Sequence, residues 1–200
     1  MRLVLGTRNK KKIQEITPLL ADLPIELVDV SQLADVPEIA EEGRTFLANA
    51  SAKAQGVARA TQEWTLAEDS GLVVPALGGE PGVDSALYSG QHGDDAANNA
   101  KLLAKIASVP IGERGAYYVC VAVLCNPHGE IKAVTEGRCH GRIVAEAQGH
   151  GGFGYDPLFQ IPEYHKTFGE LAPVVKAALS HRAKAITHIR QALIEIMQSA

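Results

Sequence analysis

Two short clusters hold most of the chemical potential of this 200-residue chain. In Ala67-Glu68-Asp69-Ser70-Gly71-Leu72, two adjacent carboxylates and a hydroxyl end a short apolar run made by Trp64, Leu66 and Ala67. In Thr7-Arg8-Asn9-Lys10-Lys11-Lys12, three consecutive lysines fall where an N-terminal strand turns into a helix. Magnesium takes a few carboxylates and leaves the rest of its shell to water and phosphate oxygens, which suits acids drawn from separate segments. A helix start offers free backbone N–H groups and a positive dipole end, and lysines there add charge that follows a polyphosphate. Together the clusters describe a site for a metal-bound polyphosphate. Each also has a plainer reading, because a lysine run at a helix start and an acidic pair are both common as solvated surface. The lysine segment lacks the P-loop pattern GxxxxGK[ST] and is not read as one.

Glu68 and Asp69 alternate sides if their strand continues, so both meet one ligand only if the chain turns at Ser70-Gly71. Glu41 and Glu42, just before Gly43, offer a further acid. Gly151 to Asp156 surrounds Phe153 and Tyr155 with three glycines, allowing close backbone approach to a ligand and an aromatic face for a base. The alternative is a connecting loop with its rings tucked into the core. Ser180-His181-Arg182 sets two donors at a likely helix start, or simply caps it with exposed charge. His92, His128, His150 and His188 lack ligand spacing and carry no assigned role.

The elements that must position these groups are legible in outline. Leu3 to Gly6 reads as a strand, and Asn9 as the N-cap of a helix with Ile13, Ile16, Leu19 and Leu20 at helical spacing. Ile25 to Val30 reads as a strand. Thr45 caps a helix whose Phe46, Ala50, Lys53, Ala54 and Val57 share a face, with Asn49 and Lys53 as surface neighbours four apart. Thr65 to Asp69 is a short strand and Asp95 to Ala107 a helix. Tyr117 to Leu124, apolar on both faces, is a buried strand, joined by the Asn126-Pro127-His128-Gly129 turn to a returning strand at Ile131 to Glu136. A final helix carries Ile186, Ile189, Leu193, Ile196 and Met197. Helices bracket a hairpin-rich core, so the class is α/β with a mixed sheet rather than pure βαβ winding.

Composition narrows the partners. A net charge of −4 gives no global attraction for nucleic acid or an anionic membrane. Hydrophobic content of 46% and charged content of 21% are ordinary for a soluble protein. No apolar stretch approaches membrane-spanning length, and the apolar N-terminal run is too short for a signal peptide. Cys120, Cys125 and Cys139 lack CxxC spacing and read as core residues of a reducing compartment, so the expected location is cytoplasmic.

The motifs, taken in order, resemble the inosine/xanthosine triphosphate pyrophosphatase family. The family's T-x-N-x-x-K start matches Thr7 to Lys12, and its E-x-G-x-T-F-x-x-N-A-x-x-K-A segment matches Glu41 to Ala54. A-[DE]-D-S-G-L matches Ala67 to Leu72, and P-G-x-x-S-A-x-Y-S-G matches Pro81 to Gly90. G-G-F-G-Y-D-P matches Gly151 to Pro157, and K-x-x-x-S-H-R matches Lys176 to Arg182. The resemblance implies a single domain over residues 1–200, with two lobes sharing a long mixed sheet flanked by helices and a nucleotide cleft between them, usually in a homodimer. It implies Mg²⁺-dependent hydrolysis of ITP, dITP and XTP to monophosphate and pyrophosphate, removing deaminated purine nucleotides from the precursor pool. By position, Asp69 is the general base and a metal ligand, with Glu41 and Glu68 assisting the metal. Thr7, Arg8, Asn9, Lys10, Lys11, Lys12 and Lys53 bind phosphates, and Ser70 lies near the substrate. Phe153, Gly154, Tyr155, Asp156, Lys176, His181 and Arg182 serve the base and sugar. The resemblance leads us to expect donors such as Arg182 or loop N–H groups at the 6-keto oxygen of hypoxanthine and xanthine.

Three positions depart from the family's common pattern. Glu68 stands where Asp is frequent, Leu87 where Arg is frequent, and Val174-Val175 where an acidic pair often precedes Lys176. Two other readings compete: a nucleotide sensor that has lost turnover, and the related pyrophosphatases of modified pyrimidine triphosphates. Asp69 argues against the sensor, and the GGFGYDP and SHR segments argue against the pyrimidine enzymes.

Overall fold

The computed structural model describes residues 1–199. Among the described residues, seven strands and five α-helices follow in the order β1 (Arg2–Leu5), α1 (Lys10–Leu20), β2 (Glu26–Asp29), α2 (Phe46–Thr61), β3 (Trp64–Val73), α3 (Asp95–Ile106), β4 (Gly115–Cys125), β5 (Ile131–Ile143), β6 (Phe159–Ile161), β7 (Lys166–Thr167), α4 (Pro173–Leu179) and α5 (His181–Gln198). The strands pair in the order β2-β1-β3-β4-β5-β6-β7. β1 is parallel to both β2 and β3, whereas β5-β6 and β6-β7 are antiparallel. The sheet is therefore mixed and the class α/β, as expected. No helix among the described residues is long and apolar enough to cross a membrane.

The chain forms two compact units. The first comprises Met1–Asp69, Cys120–Gly137 and His181–Ala200; the second comprises Ser70–Val119 and Arg138–Ser180. The first unit buries Leu3, Leu5, Ile16, Leu20, Leu66, Cys120, Leu124, Ile186, Ile189 and Leu193 in one core. These residues come from β1, α1, β3, β4 and α5, so the periodic apolar faces of α1 and α5 cover the parallel strands. The second unit packs Leu72, Tyr88, Leu102, Ile106, Tyr118, Tyr155, Phe159 and Phe168 around a tilted aromatic group. All three cysteines are buried, and none forms a disulfide among the described residues.

Three elements differ from expectation. β3 does not stop at Asp69 but runs through Ser70 and Gly71 to Val73, and the Leu72 N–H donates to Ser85 Oγ at 2.9 Å. β5 continues past Glu136 to Ile143. Its internal glycines look like strand ends, but they mark close approach. A Cβ at Gly137 would lie 2.1 Å from the His181 carbonyl, and one at Gly141 would lie 2.5 Å from the Gln160 carbonyl. α4 is a helix that periodicity missed; Pro173, which needs no N–H partner there, sits in its first turn.

Candidate active site

Because β3 is extended through both acids, Glu68 and Asp69 face opposite sides and meet different cations. Glu68 is 1% exposed; its Oε1 meets Lys12 Nζ of α1 at 2.6 Å and its Oε2 lies 3.7 Å from Arg182 Nη2 of α5. Arg182 Nη1 also pairs with Glu15 of α1, and Cys120 Sγ donates to Glu68 Oε2 at 3.2 Å. Burial alone would raise the Glu68 carboxyl, but Lys12, Arg182 and Lys53 outweigh it and hold it well below the usual range. Burial raises the Cys120 thiol well above its usual value, and the Glu68 carboxylate pushes it further.

On the other face, Asp69 meets α2. Asn49 Nδ2 donates to Asp69 Oδ2 at 3.1 Å, and Lys53 Nζ stands 3.6 Å from Oδ1. Lys53 also reaches Glu41 Oε2 at 2.7 Å, tying in the segment before α2. Burial pushes the Asp69 carboxyl up; Lys53, Lys12 and Asn49 oppose this without cancelling it, so it stays above its ordinary value. Lys53 is pushed down by burial, but Asp69, Glu68 and Glu41 prevail and its ammonium is held above the usual value. Among the described residues no three His, Cys, Asp or Glu side chains converge as a protein-only metal cage would require.

The β1–α1 turn is more self-contained than a bare phosphate cradle. Asn9 caps α1 by accepting from the Lys11 and Lys12 N–H groups, and the Asn9 N–H donates to Thr7 Oγ1 at 3.2 Å. Arg8 donates to the Val36 carbonyl at 2.7 Å, holding the segment that leads to Glu41. Lys10 and Lys11 lie on the exposed start of the helix, and Lys12 alone of the three turns inward to Glu68. Ser70 follows Asp69 on β3 as the first residue of the second unit.

The second unit gathers Phe153, Asp156 and Lys176. Asp156, 3% exposed, receives Lys176 Nζ at 2.6 Å and the Phe153 N–H at 2.8 Å, both on Oδ2. Its Oδ1 accepts from Tyr118 Oη at 3.4 Å. The Lys176 ammonium sits 4.9 Å from the centre of the Phe153 ring. Gly152 has φ +73°, and a Cβ there would lie 1.9 Å from Asp156 Oδ2, so only glycine lets the loop close on the carboxylate.

The loop N–H groups expected to meet a base are already engaged. Phe153 N–H goes to Asp156, Gly154 N–H to Asp95 at 2.9 Å, and Gly151 N–H to the Gly169 carbonyl. Tyr155 is core rather than pocket, with its hydroxyl donating to the Ser85 carbonyl at 2.8 Å. His181 and Arg182 occupy the first turn of α5 in the first unit and are buried, which excludes an exposed cap. The resemblance assigns Arg182 to the base and sugar, and its guanidinium pairs with Glu15 and Glu68.

Asn49, Glu15 and Cys120 are members of this network that the sequence reading did not assign to the site. Asn49 four residues before Lys53, and Glu15 three after Lys12, are helix-surface neighbours of residues it did assign. Nothing in the sequence marks Cys120.

The chain is similar to known proteins over nearly its whole length. A Ham1 family model matches residues 3–192. A curated dITP/XTP pyrophosphatase of Rhodopirellula baltica is 50% identical over 197 residues, covering 98% of this chain and 95% of that protein. One from Geobacter sulfurreducens is 47% identical over 192 residues, covering 96% of each. The solved structure of a HAM1 protein from Coxiella burnetii superposes with a TM-score of 0.90 at 36% identity, covering 98% of this chain and 99% of that one. The chain belongs to the Ham1 family.

Proposed function

We propose that this chain hydrolyses ITP, dITP and XTP, with Mg²⁺, to the nucleoside monophosphate and pyrophosphate. The broader class, a nucleoside triphosphate pyrophosphatase, rests on family membership together with curated relatives of that activity. The observation that supports the chemistry is the Asp69–Lys53–Glu41 group, where one ammonium serves two carboxylates at 3.6 and 2.7 Å.

That group fits a substrate-borne cation. A positive charge already stands against both carboxylates, and magnesium needs only one or two protein carboxylates when phosphates complete its shell. Asp69 and Glu41 would hold the ion; Glu68, on the opposite side of the extended β3, is engaged by Lys12 and Arg182 instead. Bound there, Mg²⁺ offsets phosphate charge and polarises the phosphorus under attack. Asp69 takes the proton from the attacking water. Lys53 and Lys12, the inward-facing lysines, move onto phosphate oxygens and stabilise charge on the departing pyrophosphate.

For base recognition the family resemblance offers side chains, each of which would exchange its present partner for the substrate. Phe153 supplies a face for the base, and Lys176 and Arg182 are donors for a 6-keto oxygen. Adenine presents a 6-amino donor there instead, and leaving a buried donor unsatisfied costs about 1–3 kcal/mol. That is roughly 5- to 150-fold in selectivity per group. The pool-cleaning role, a homodimeric assembly and a cytoplasmic setting belong to the same reading; the buried free thiols support a reducing compartment.

The test is hydrolysis of ITP, dITP, XTP, ATP and GTP in Mg²⁺ by the parent and by Asp69→Asn. ITP, dITP and XTP should be cleaved with ATP nearly inert, whereas guanine keeps the 6-keto oxygen, so exclusion of GTP requires separate discrimination at its 2-amino group. Asp69→Asn should lose turnover while still binding ITP. Full turnover in Asp69→Asn would overturn the mechanism, and equal rates on ATP would overturn the selectivity.

A further inference from the structure

One face of α2 carries two rungs that link the Glu41–Gly43 segment to Asp69. Lys53 is one, through Glu41 Oε2 and Asp69 Oδ1. Asn49, a turn earlier, is the other. Its Oδ1 accepts the Gly43 N–H at 2.8 Å and its Nδ2 donates to Asp69 Oδ2 at 3.1 Å. The amide orientation is fixed by chemistry: the Gly43 N–H can only donate, so it must face oxygen, leaving the NH₂ for the carboxylate. Asn49 is 4% exposed, and a Cβ at Gly43 would lie 2.5 Å from its Oδ1. The segment before α2 is thus pressed onto the helix at this amide.

The rungs differ in what a polyphosphate does to them. Lys53 is a long, charged side chain with only a loose contact to Asp69, and on the functional reading above, on which this inference rests, it transfers to phosphate. Asp69 then loses one partner as it must take a proton. The Asn49 rung carries no charge for which a phosphate competes, and its hydrogen bond to Asp69 is buried. We propose that Asn49 is the positioning residue of the catalytic carboxylate. It keeps Oδ2 fixed and the Glu41 segment docked while Lys53 moves to the substrate. With Oδ2 committed to Asn49, Oδ1 is the oxygen that receives the proton from water.

Two substitutions separate the halves of this role. Asn49→Asp keeps the shape and the acceptor for Gly43 but presents Asp69 with an acceptor, and it is assayed at alkaline pH where both carboxylates are ionised. Asn49→Ala removes both contacts. Disturbing such a supporting partner lowers activity by about 10- to 100-fold. In both variants we expect a loss of that size in kcat on ITP, with KM within about threefold of the parent. Hydrogen exchange at the Gly43 amide supplies a readout independent of turnover: protection should persist in Asn49→Asp and vanish in Asn49→Ala. Parental kcat in Asn49→Asp, or a KM rise with kcat unchanged in either variant, would overturn the positioning role. Unchanged Gly43 protection in Asn49→Ala would overturn the docking role. If the parent itself releases no pyrophosphate, the functional reading fails instead, and the exchange comparison still decides the docking role.

Discussion

Glu68→Gln is the sharpest probe of the network beneath the site. The substitution keeps volume and hydrogen-bonding capacity but removes the charge that faces Lys12 at 2.6 Å and Arg182 at 3.7 Å. Removing one partner of a buried pair costs about 3–5 kcal/mol, because the cation left behind is uncompensated. The lower end applies here, since Arg182 keeps Glu15 and the Lys12 side chain is 16% exposed. For a chain of this size about 3 kcal/mol lowers Tm by about 6–12 °C. Urea titration at neutral pH measures the loss directly as a lower midpoint with unchanged slope. The pH dependence has a definite sign. Glu68 is held below its ordinary value in the native state, so its contribution is complete above the unfolded value near about pH 4.3 and disappears as pH falls toward the native value. The gap between parent and variant therefore narrows in acid. Glu68→Asp, which keeps the charge on a shorter arm, should recover part of the loss. A Glu68→Gln midpoint equal to the parent's at neutral pH, or a gap that widens in acid, would refute the assignment of Glu68 as the charge that balances Lys12 and Arg182.

Other perturbations read different parts of the structure. Asp69 is held above its ordinary value, so its ionised form opposes folding as pH rises through that native value. Asp69→Asn should then melt at or above the parent temperature at neutral pH although it is inactive, as scanning calorimetry will show. The three cysteines are buried, Cys120 is pushed well above the usual thiol value, and burial raises Cys125 to about 11. A thiol-specific chromogenic reagent should label none of them in native protein and all of them in urea. Gly137→Ala drives a Cβ to 2.1 Å from a backbone carbonyl of α5, which a flexible side chain cannot relieve. It should cost at least about 1–3 kcal/mol by urea titration, the range of overpacked cores.

The sequence reading succeeded where local rules act without tertiary help. The Asn9 and Thr45 caps, the apolar stripe of α1 and the buried run of β4 follow from side-chain period and capping chemistry alone. It failed where tertiary contact reverses a local signal. Ser70-Gly71 resembles a turn, yet β3 passes straight through it because Ser85 accepts the Leu72 N–H. Gly137 and Gly141 resemble breaks in β5 but are required by α5 and β6 crowding the strand. The two acids and their alternation are legible in the sequence, while their partners are not: the fold gives Glu68 to Lys12 and Arg182 and Asp69 to Asn49 and Lys53. The resemblance offers loop N–H groups to a base without saying which, and only the fold reveals Asp156 and Asp95 as partners of the Phe153 and Gly154 amides.

The most direct test of the pyrophosphatase assignment is the identity of the phosphorus products from ITP. With purified protein, Mg²⁺ and ITP, phosphorus NMR should show IMP and pyrophosphate appearing together, with no IDP intermediate. Accumulation of IDP with orthophosphate would place cleavage at the terminal phosphate and contradict the account.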